Sequence, residues 1–383
     1  MRPPTTGSGS LTAVLPAGLT AVEGGDPAPL HLERRPTGVV VVVIDGLGQA
    51  LLDEHADLAP TLASAPGPTL DATFPTTTPT NLTSLGTGLT PIEHGITGTG
   101  IGVPGHERTL ISLTWRWDHQ FEGPDARDEV PPEAFQPCPT VFARARGRGV
   151  RATTVLRPEF ATSGLTRAGL RDGTVVTASD LETTLEVAVD AASPGPSLVY
   201  AHHGDLDAAG HLAGPGSDAW CAELARIDAV LERCRQQLPP DVALVVTADH
   251  GMVRVDDTGF VDLADRADLL EGVRVLGGDP RARQLHVVAG AVDDVAARWR
   301  EHAGDAARVV TRDEAIGAGW HGPRARLRDG VGARIGDLLV VATAEVAWIH
   351  RDRDPLGGRL PGQHGALTDA ELRVPARTLR RSP

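Results

Sequence analysis

Three unbroken apolar runs dominate the pattern along the chain, and each stops at acidic or imidazole side chains. Residues 39–44 end at Asp45, residues 198–201 run into His202, His203, Asp205 and Asp207, and residues 242–248 end at Asp249 and His250. Runs of this length, rich in valine and without polar alternation, predict strands buried on both faces, as in a parallel sheet. Helical spacing appears between them. It predicts a short helix over 47–55, a second helical segment ended by Pro91 and the Gly-rich stretch 95–105, and a helix over 179–192 capped by Ser179. Trp220, Leu224, Ile227 and Leu231 recur every three or four residues within 217–238, a crossover helix between two of the long strands. Further strands are expected at 150–156, 285–289 and 338–343, with a helix at 292–303. This alternation predicts an α/β fold, a doubly wound, mostly parallel sheet with helices on both faces. No internal repeat or low-complexity linker interrupts residues 1–383, so one domain is expected. Residues 256–335 hold no ligand cluster and are expected to form a smaller cap.

Composition narrows the function classes. A chain of 383 residues can bury a large core. Its formal charge of −14 argues against a nucleic-acid-binding surface, which needs a basic footprint. All basic residues are Arg, which excludes Schiff-base chemistry and a lysine phosphate loop. Cys138, Cys221 and Cys234 lack a CxxC spacing and are expected as free thiols in a reducing compartment. No apolar run approaches the ~18 residues of a membrane span, and the first residues lack a signal-type apolar core. The expectation is a soluble, cytoplasmic protein without membrane partners; a homo-oligomer stays open.

Strand carboxyl ends are where α/β proteins place ligands, so the terminating residues are the candidate chemistry. Thr78 precedes Pro79; with proline at the first helical position, Thr78 would be the N-cap. A hydroxyl there suits helix capping and equally a nucleophile attacking phosphorus beside free amides. Asp207 and His211 are four residues apart, with Gly210 expected to allow a turn. Asp249 and His250 are adjacent, and His364 stands alone before Gly365. Buried carboxylates without partners are prohibitively costly, so this set calls for cations. Mixed Asp, His and hydroxyl ligation suits zinc better than magnesium.

Asp45-Gly46, the run Phe-Pro-Thr-Thr-Thr-Pro-Thr-Asn at 74–81, the stretch 87–96 ending in Glu-His-Gly-Ile, Asp-x-x-Gly-His at 207–211, Ala-Asp-His-Gly at 248–251 and His-Gly at 364–365 occur in order. Together they resemble the alkaline phosphatase superfamily, in its nucleotide pyrophosphatase/phosphodiesterase branch. The resemblance implies one zinc on Asp207, His211 and His364, and a second on Asp45, Thr78, Asp249 and His250. It implies Thr78 as nucleophile, a phosphothreonine intermediate, and Asn81 as an amide donor to a nonbridging phosphoryl oxygen. The substrate would be a small phosphoester. Members often carry Lys just before the nucleophile, where this chain has Thr77.

Two zincs against three aspartates would leave the site about +1. No Arg lies near Thr78 in sequence, although Arg116 could fold in, so a singly charged diester is expected over a monoester. The alternatives are a phosphonoacetate hydrolase-like C–P hydrolase, a phosphomonoesterase, and a zinc-stabilised binding protein without turnover. A sulfatase would need Cys-x-Pro-x-Arg, which 138–140 does not supply. Of the remaining candidates, His94 reads as structural and His202 or His203 as a donor to a ligand carboxylate. Trp115 and Trp117 read as either base-stacking or core residues.

Overall fold

The valine run Gly38–Ile44 forms the middle strand of a seven-stranded sheet, and all seven of its residues are buried. The computed structural model describes every residue except 33, 355–357 and 382–383. Strands lie in the order Thr69–Asp71, Arg373–Leu379, Val242–Thr247, Gly38–Ile44, Ser197–His203, Arg151–Leu156, Thr174–Thr177. The last five of these pair in parallel, and Arg373–Leu379 runs antiparallel at one side. Helices Val14–Glu23 and Leu181–Ala192 pack on the central strands and cover their apolar side chains. The doubly wound α/β architecture read from the pattern is the observed fold.

Register sets the site. Ile44 pairs with His203 and Val43 with Thr247, so the three central strands end level and deliver their next residues to one edge. Gly46 turns the chain away after Asp45 with φ +76°; a side chain there would also meet that of Asp207 at 3.1 Å.

Several local expectations are corrected. The helix expected from Ser179 is Leu181–Ala192, capped by Asp180, whose carboxylate accepts from Thr183 N–H at 2.9 Å. The helix after the Phe-Pro-Thr run is Thr78–Thr87. Its cap is Thr77, because the Thr77 carbonyl already accepts from Asn81 N–H at 3.0 Å. Thr78 is therefore the first helical residue, and capping does not occupy its hydroxyl. Asp205 and Asp207 lie not on a strand but in the helix Asp205–Ala213, so Asp207 and His211 are one turn apart. Gly210 makes no turn; it is buried mid-helix, where a Cβ would lie 2.5 Å from Met252 Sδ.

A second, antiparallel sheet of seven strands faces the edge. Its order is Ala307–Thr311, Leu338–Ala342, Ala282–Val287, Val273–Asp279, Gly100–Gly102, Thr109–Ile111, Arg116–Trp117. The stretch 256–335 thus supplies only part of it, and the remainder comes from 100–117 and 338–342. Trp115 and Trp117 are fully buried with Ile101 and Leu110 in the core behind this sheet, so neither stacks on a ligand. The Arg116 guanidinium donates to the Gly123 carbonyl at 2.6 Å. Among the described residues no helix is long and apolar enough to cross a membrane.

Candidate active site

The sheet edge gathers seven of the eight site residues named above into two adjoining groups. Asp45, Asp249 and His250 form one, and Asp207, His211 and His364 the other; within each, the potential ligand atoms lie within 4.8 Å of one another. His250 Nε2 is 3.5 Å from Asp45 Oδ1 and 3.6 Å from Asp249 Oδ2. His211 Nε2 is 3.3 Å from Asp207 Oδ2, and His364 Nε2 is 3.2 Å from His211 Nε2. The rings of His250 and His364 stack with centroids 3.7 Å apart, which makes the two groups neighbours. Thr78 Oγ1 donates to His250 Nε2 at 3.2 Å and lies within hydrogen-bond reach of the Asp45 carboxylate.

The protonation pattern fits metal ions. His211, His250 and His364 each turn Nδ1 to a backbone carbonyl, those of Gly362, Gly251 and Thr76, at 2.8, 3.0 and 2.8 Å. Donation there leaves the Nε2 lone pair of each neutral ring aimed into the site, the orientation that metal-binding histidines take from a carbonyl partner. The Nε2 atoms of His211 and His364 then face each other lone pair to lone pair, an arrangement a cation between them would relieve. Asp45 Oδ1, Asp207 Oδ1 and Asp249 Oδ2 are buried without a hydrogen-bond partner among the described residues. Burial, and then Asp249 and Asp207, push the Asp45 carboxyl well above the usual carboxylate range. Burial, and then His250 and His211, push His364 well below the usual imidazole value. A +2 ion in each group would offset these costs at once.

Asn81 is not at this surface, which corrects its expected role as a phosphoryl donor. Its amide lies inside the loop that precedes Thr78. Nδ2 donates to the carbonyls of Thr73, Pro75 and Thr77, and Oδ1 accepts from the Thr73 N–H and hydroxyl. The network continues to His94. Ile96 N–H can only donate, so His94 Nδ1 accepts it at 3.1 Å, and the neutral ring donates from Nε2 to Ser84 Oγ at 2.9 Å. Because the Thr73 hydroxyl donates to Asn81, Ser84 must donate to Thr73. Five buried groups thus form one directed chain ending under the loop that precedes Thr78.

Sequence reasoning missed other supports. Thr76 Oγ1 donates to the Ala366 carbonyl and accepts from Gly365 N–H, tying the loop before Thr78 to the His364 loop. Glu371, in the short helix Asp369–Leu372, and Arg281, in the turn between the second-sheet strands Val273–Asp279 and Ala282–Val287, form a fully buried ion pair at 2.8 and 2.9 Å. Repeated threonines in 74–80 were a signal for the first; nothing local marks the second. His202 Nε2 donates to Asp45 Oδ2 at 3.0 Å, holding that carboxylate. His203, Asp205 and Glu223 also cluster, but Arg157 and Arg226 already pair with them.

With this geometry in view, the family assignment follows. The model of the type I phosphodiesterase/nucleotide pyrophosphatase family matches residues 39–367, and the chain belongs to that family, within the alkaline phosphatase superfamily. It is accordingly an enzyme of the phosphodiesterase and pyrophosphatase type, in a metal-dependent family. Among solved structures, it resembles human ectonucleotide pyrophosphatase/phosphodiesterase 5, at 17% identity and TM-score 0.65, over 90% of each chain. The murine counterpart gives 18% identity and TM-score 0.62, over 88% of this chain and 87% of that one. Phosphonoacetate hydrolase from Sinorhizobium meliloti 1021, in complex with phosphonoformate, gives 20% identity and TM-score 0.64, over 91% of each. No curated protein matches the chain.

Proposed function

We propose that the protein is a two-zinc phosphodiesterase that acts through a phosphothreonine intermediate on Thr78. The observation that carries this reading is the convergence of three partnerless carboxylate oxygens and three inward Nε2 lone pairs around one threonine hydroxyl. Asp207, His211 and His364 would hold one ion, and Asp45, Thr78, Asp249 and His250 the other. Each ion would have three histidine or aspartate ligands, with Thr78 as a fourth on the second ion, and three such side chains with room for a further ligand is the catalytic zinc pattern. Bound there, the ions would lower the pKa of the hydroxyl and take up charge developing on the phosphoryl and leaving oxygens.

The chain's own residues supply the rest. The Thr78 hydroxyl loses its proton to solvent as its oxygen bonds to phosphorus, the P–O bond on the opposite side breaks, and the leaving alkoxide takes up a proton from solvent and departs as the alcohol. Water then attacks phosphorus, the Thr78 Oγ1–P bond breaks, the threonine oxygen regains a proton from the attacking water, and the phosphate monoester is released. Asp45 is steadied by His202, and His364 by the Thr76 carbonyl, so both stay oriented through the two steps. Of the arginines at or near the cleft, Arg283 is bound to Asp354 and Arg116 donates to the Gly123 carbonyl, while Arg353 also lines the cleft and has no partner among the described residues. With two zincs against three aspartates leaving the bare site about +1, a singly charged diester suits it better than a dianionic monoester.

The test compares aryl phosphodiester and aryl phosphomonoester hydrolysis by zinc-loaded protein, with Thr78→Ala alongside. The diester should be the faster substrate. Thr78→Ala should lose at least about a thousandfold in kcat while still binding two equivalents of zinc by elemental analysis. Faster monoester turnover, or wild-type rates in the variant, would overturn the reading.

A further inference from the structure

A cleft of about 430 Å³ opens beside Thr78, Asp207, His211 and His364, between the sheet edge and the second sheet. Its far wall is apolar. Ile111, Leu113 and Leu276 come from or adjoin the second sheet, Leu360 precedes the His364 loop, and Leu212 and Phe121 also line it. Leu212 is 65% exposed and Phe121 59% exposed, and both line the cleft. Apolar area left in water at a concave site is area that a ligand's apolar group can remove from it.

The polar groups of that wall are largely occupied. Arg283 donates to Asp354 and to the Trp348 carbonyl, Asp118 accepts from Arg108 and from Thr109 N–H, and Asp279 accepts from Thr99 N–H. Gln363 donates to the carbonyls of Gly358 and Leu360. Among the described residues of that wall, Gln120 and Arg353 remain the long side-chain donors without a partner. A nucleobase edge needs several convergent donors and acceptors, and a base plane needs an aromatic face. Both tryptophans of this sheet are in its core, which leaves Phe121 as the aromatic ring of the wall; it suits an aryl group, whereas a base edge would find only Gln120 and Arg353 unpaired among the described residues. A small dianion carrying a second acid group would leave the apolar wall unused.

We infer that the substrate is a phosphodiester in which one alcohol is a short alkyl or aryl group, seated against this wall. The inference rests on the phosphodiesterase reading and specifies its substrate class. The nucleophile and the ligand set are unchanged by it; what the wall selects is the group esterified to phosphorus.

The measurement is kcat/KM on 4-nitrophenyl diesters of methyl, butyl and phenyl phosphate and of thymidine 5′-phosphate, with release of nitrophenol as readout. One methylene in an apolar pocket changes kcat/KM by roughly tenfold or more, so the butyl and phenyl esters should exceed the methyl ester at least tenfold. The thymidine ester should be no better than the methyl ester. Leu212→Gln, on an exposed side chain, should lower the butyl-to-methyl ratio severalfold. In Thr78→Ala protein, titration calorimetry should show the butyl ester binding about tenfold tighter than the methyl ester. Methyl turnover without a gain for butyl or phenyl, or a preference for the thymidine ester, overturns this inference alone. Absence of turnover on all four esters overturns the phosphodiesterase reading and this inference together.

Discussion

Asn81 uses both ends of its amide within residues 73–77, and His94 supports it through Ser84 and Thr73. Every member of this chain is buried, so each hydrogen bond lost would leave a polar group without water to replace the partner. The direction of donation is forced from end to end, which fixes one arrangement of the loop and hence one position for the Thr78 hydroxyl. A nucleophile displaced by about 1 Å can lose about a hundredfold in rate. His94→Phe, which touches no part of the cleft, should therefore lower kcat at least about tenfold with KM within twofold. His94→Gln, whose amide can donate to Ser84, should recover part of the loss. Unchanged kcat in His94→Phe, measured at saturating diester, would remove the positioning role from this chain.

At the scale of elements, the short helix Asp369–Leu372 joins parts that are remote in sequence. The Glu371 carboxylate accepts from Arg281 on the second sheet, from Ala366 N–H behind His364, and from the Thr368 hydroxyl. Its carbonyl accepts from Gly251 N–H beside His250. One residue thus couples the His250 and His364 loops to the sheet that walls the cleft. A buried pair is weak evidence for net stability, yet removing one partner leaves an uncompensated charge and costs about 3–5 kcal/mol. Glu371→Gln should lower the urea unfolding free energy by that amount and weaken zinc affinity about 10–100-fold, the usual cost of losing an outer support. The double variant Arg281→Leu/Glu371→Leu should regain most of the stability but not the affinity. A single variant as stable as wild type would contradict this account.

The whole molecule should be acid-labile for a reason separate from catalysis. His94 and His321 are buried with pKa values lowered to about 3, and His286 to about 4, each mainly by burial. Arg328 and Arg334 add to the shift at His94. Neither ring nitrogen of His321 has a hydrogen-bond partner among the described residues, and the ring lies edge-on to Phe74. Such groups bind protons in the unfolded chain from about pH 6.5 downward, while the folded chain resists them. The stability they contribute is complete above pH 6.5 and is lost as pH falls toward 3 to 4. At pH 5 each would cost up to about 2 kcal/mol. Urea unfolding at pH 7.5 and pH 5.0 should show a loss of several kcal/mol, and His321→Leu should shrink that difference by about 1–2 kcal/mol. An equal pH dependence in the variant would exclude His321 as a contributor.

The central strands were legible because their burial on both faces suppresses the polar alternation that other strands show; residues 39–44 have no other reading. The helix Asp218–Gln237 was legible from one apolar stripe; the structure adds that Ser217 caps it. The side chains that end the strands were legible as ligand types because Asp and His in those places have no apolar explanation. Tertiary structure decided the rest. Strands of two or three residues at 100–117 carry no periodicity, so their union with residues 273–342 was invisible until the second sheet closed. Asn81 has the same spacing from Thr78 whether its amide faces a ligand or the loop, and only the packing of residues 73–77 chose the loop. His364 meets Thr76 across 288 residues, and Arg281 meets Glu371 across 90. Short-range pattern reports burial and residue chemistry, whereas the partner of a buried polar group is set by whichever distant segment the closed fold brings against it.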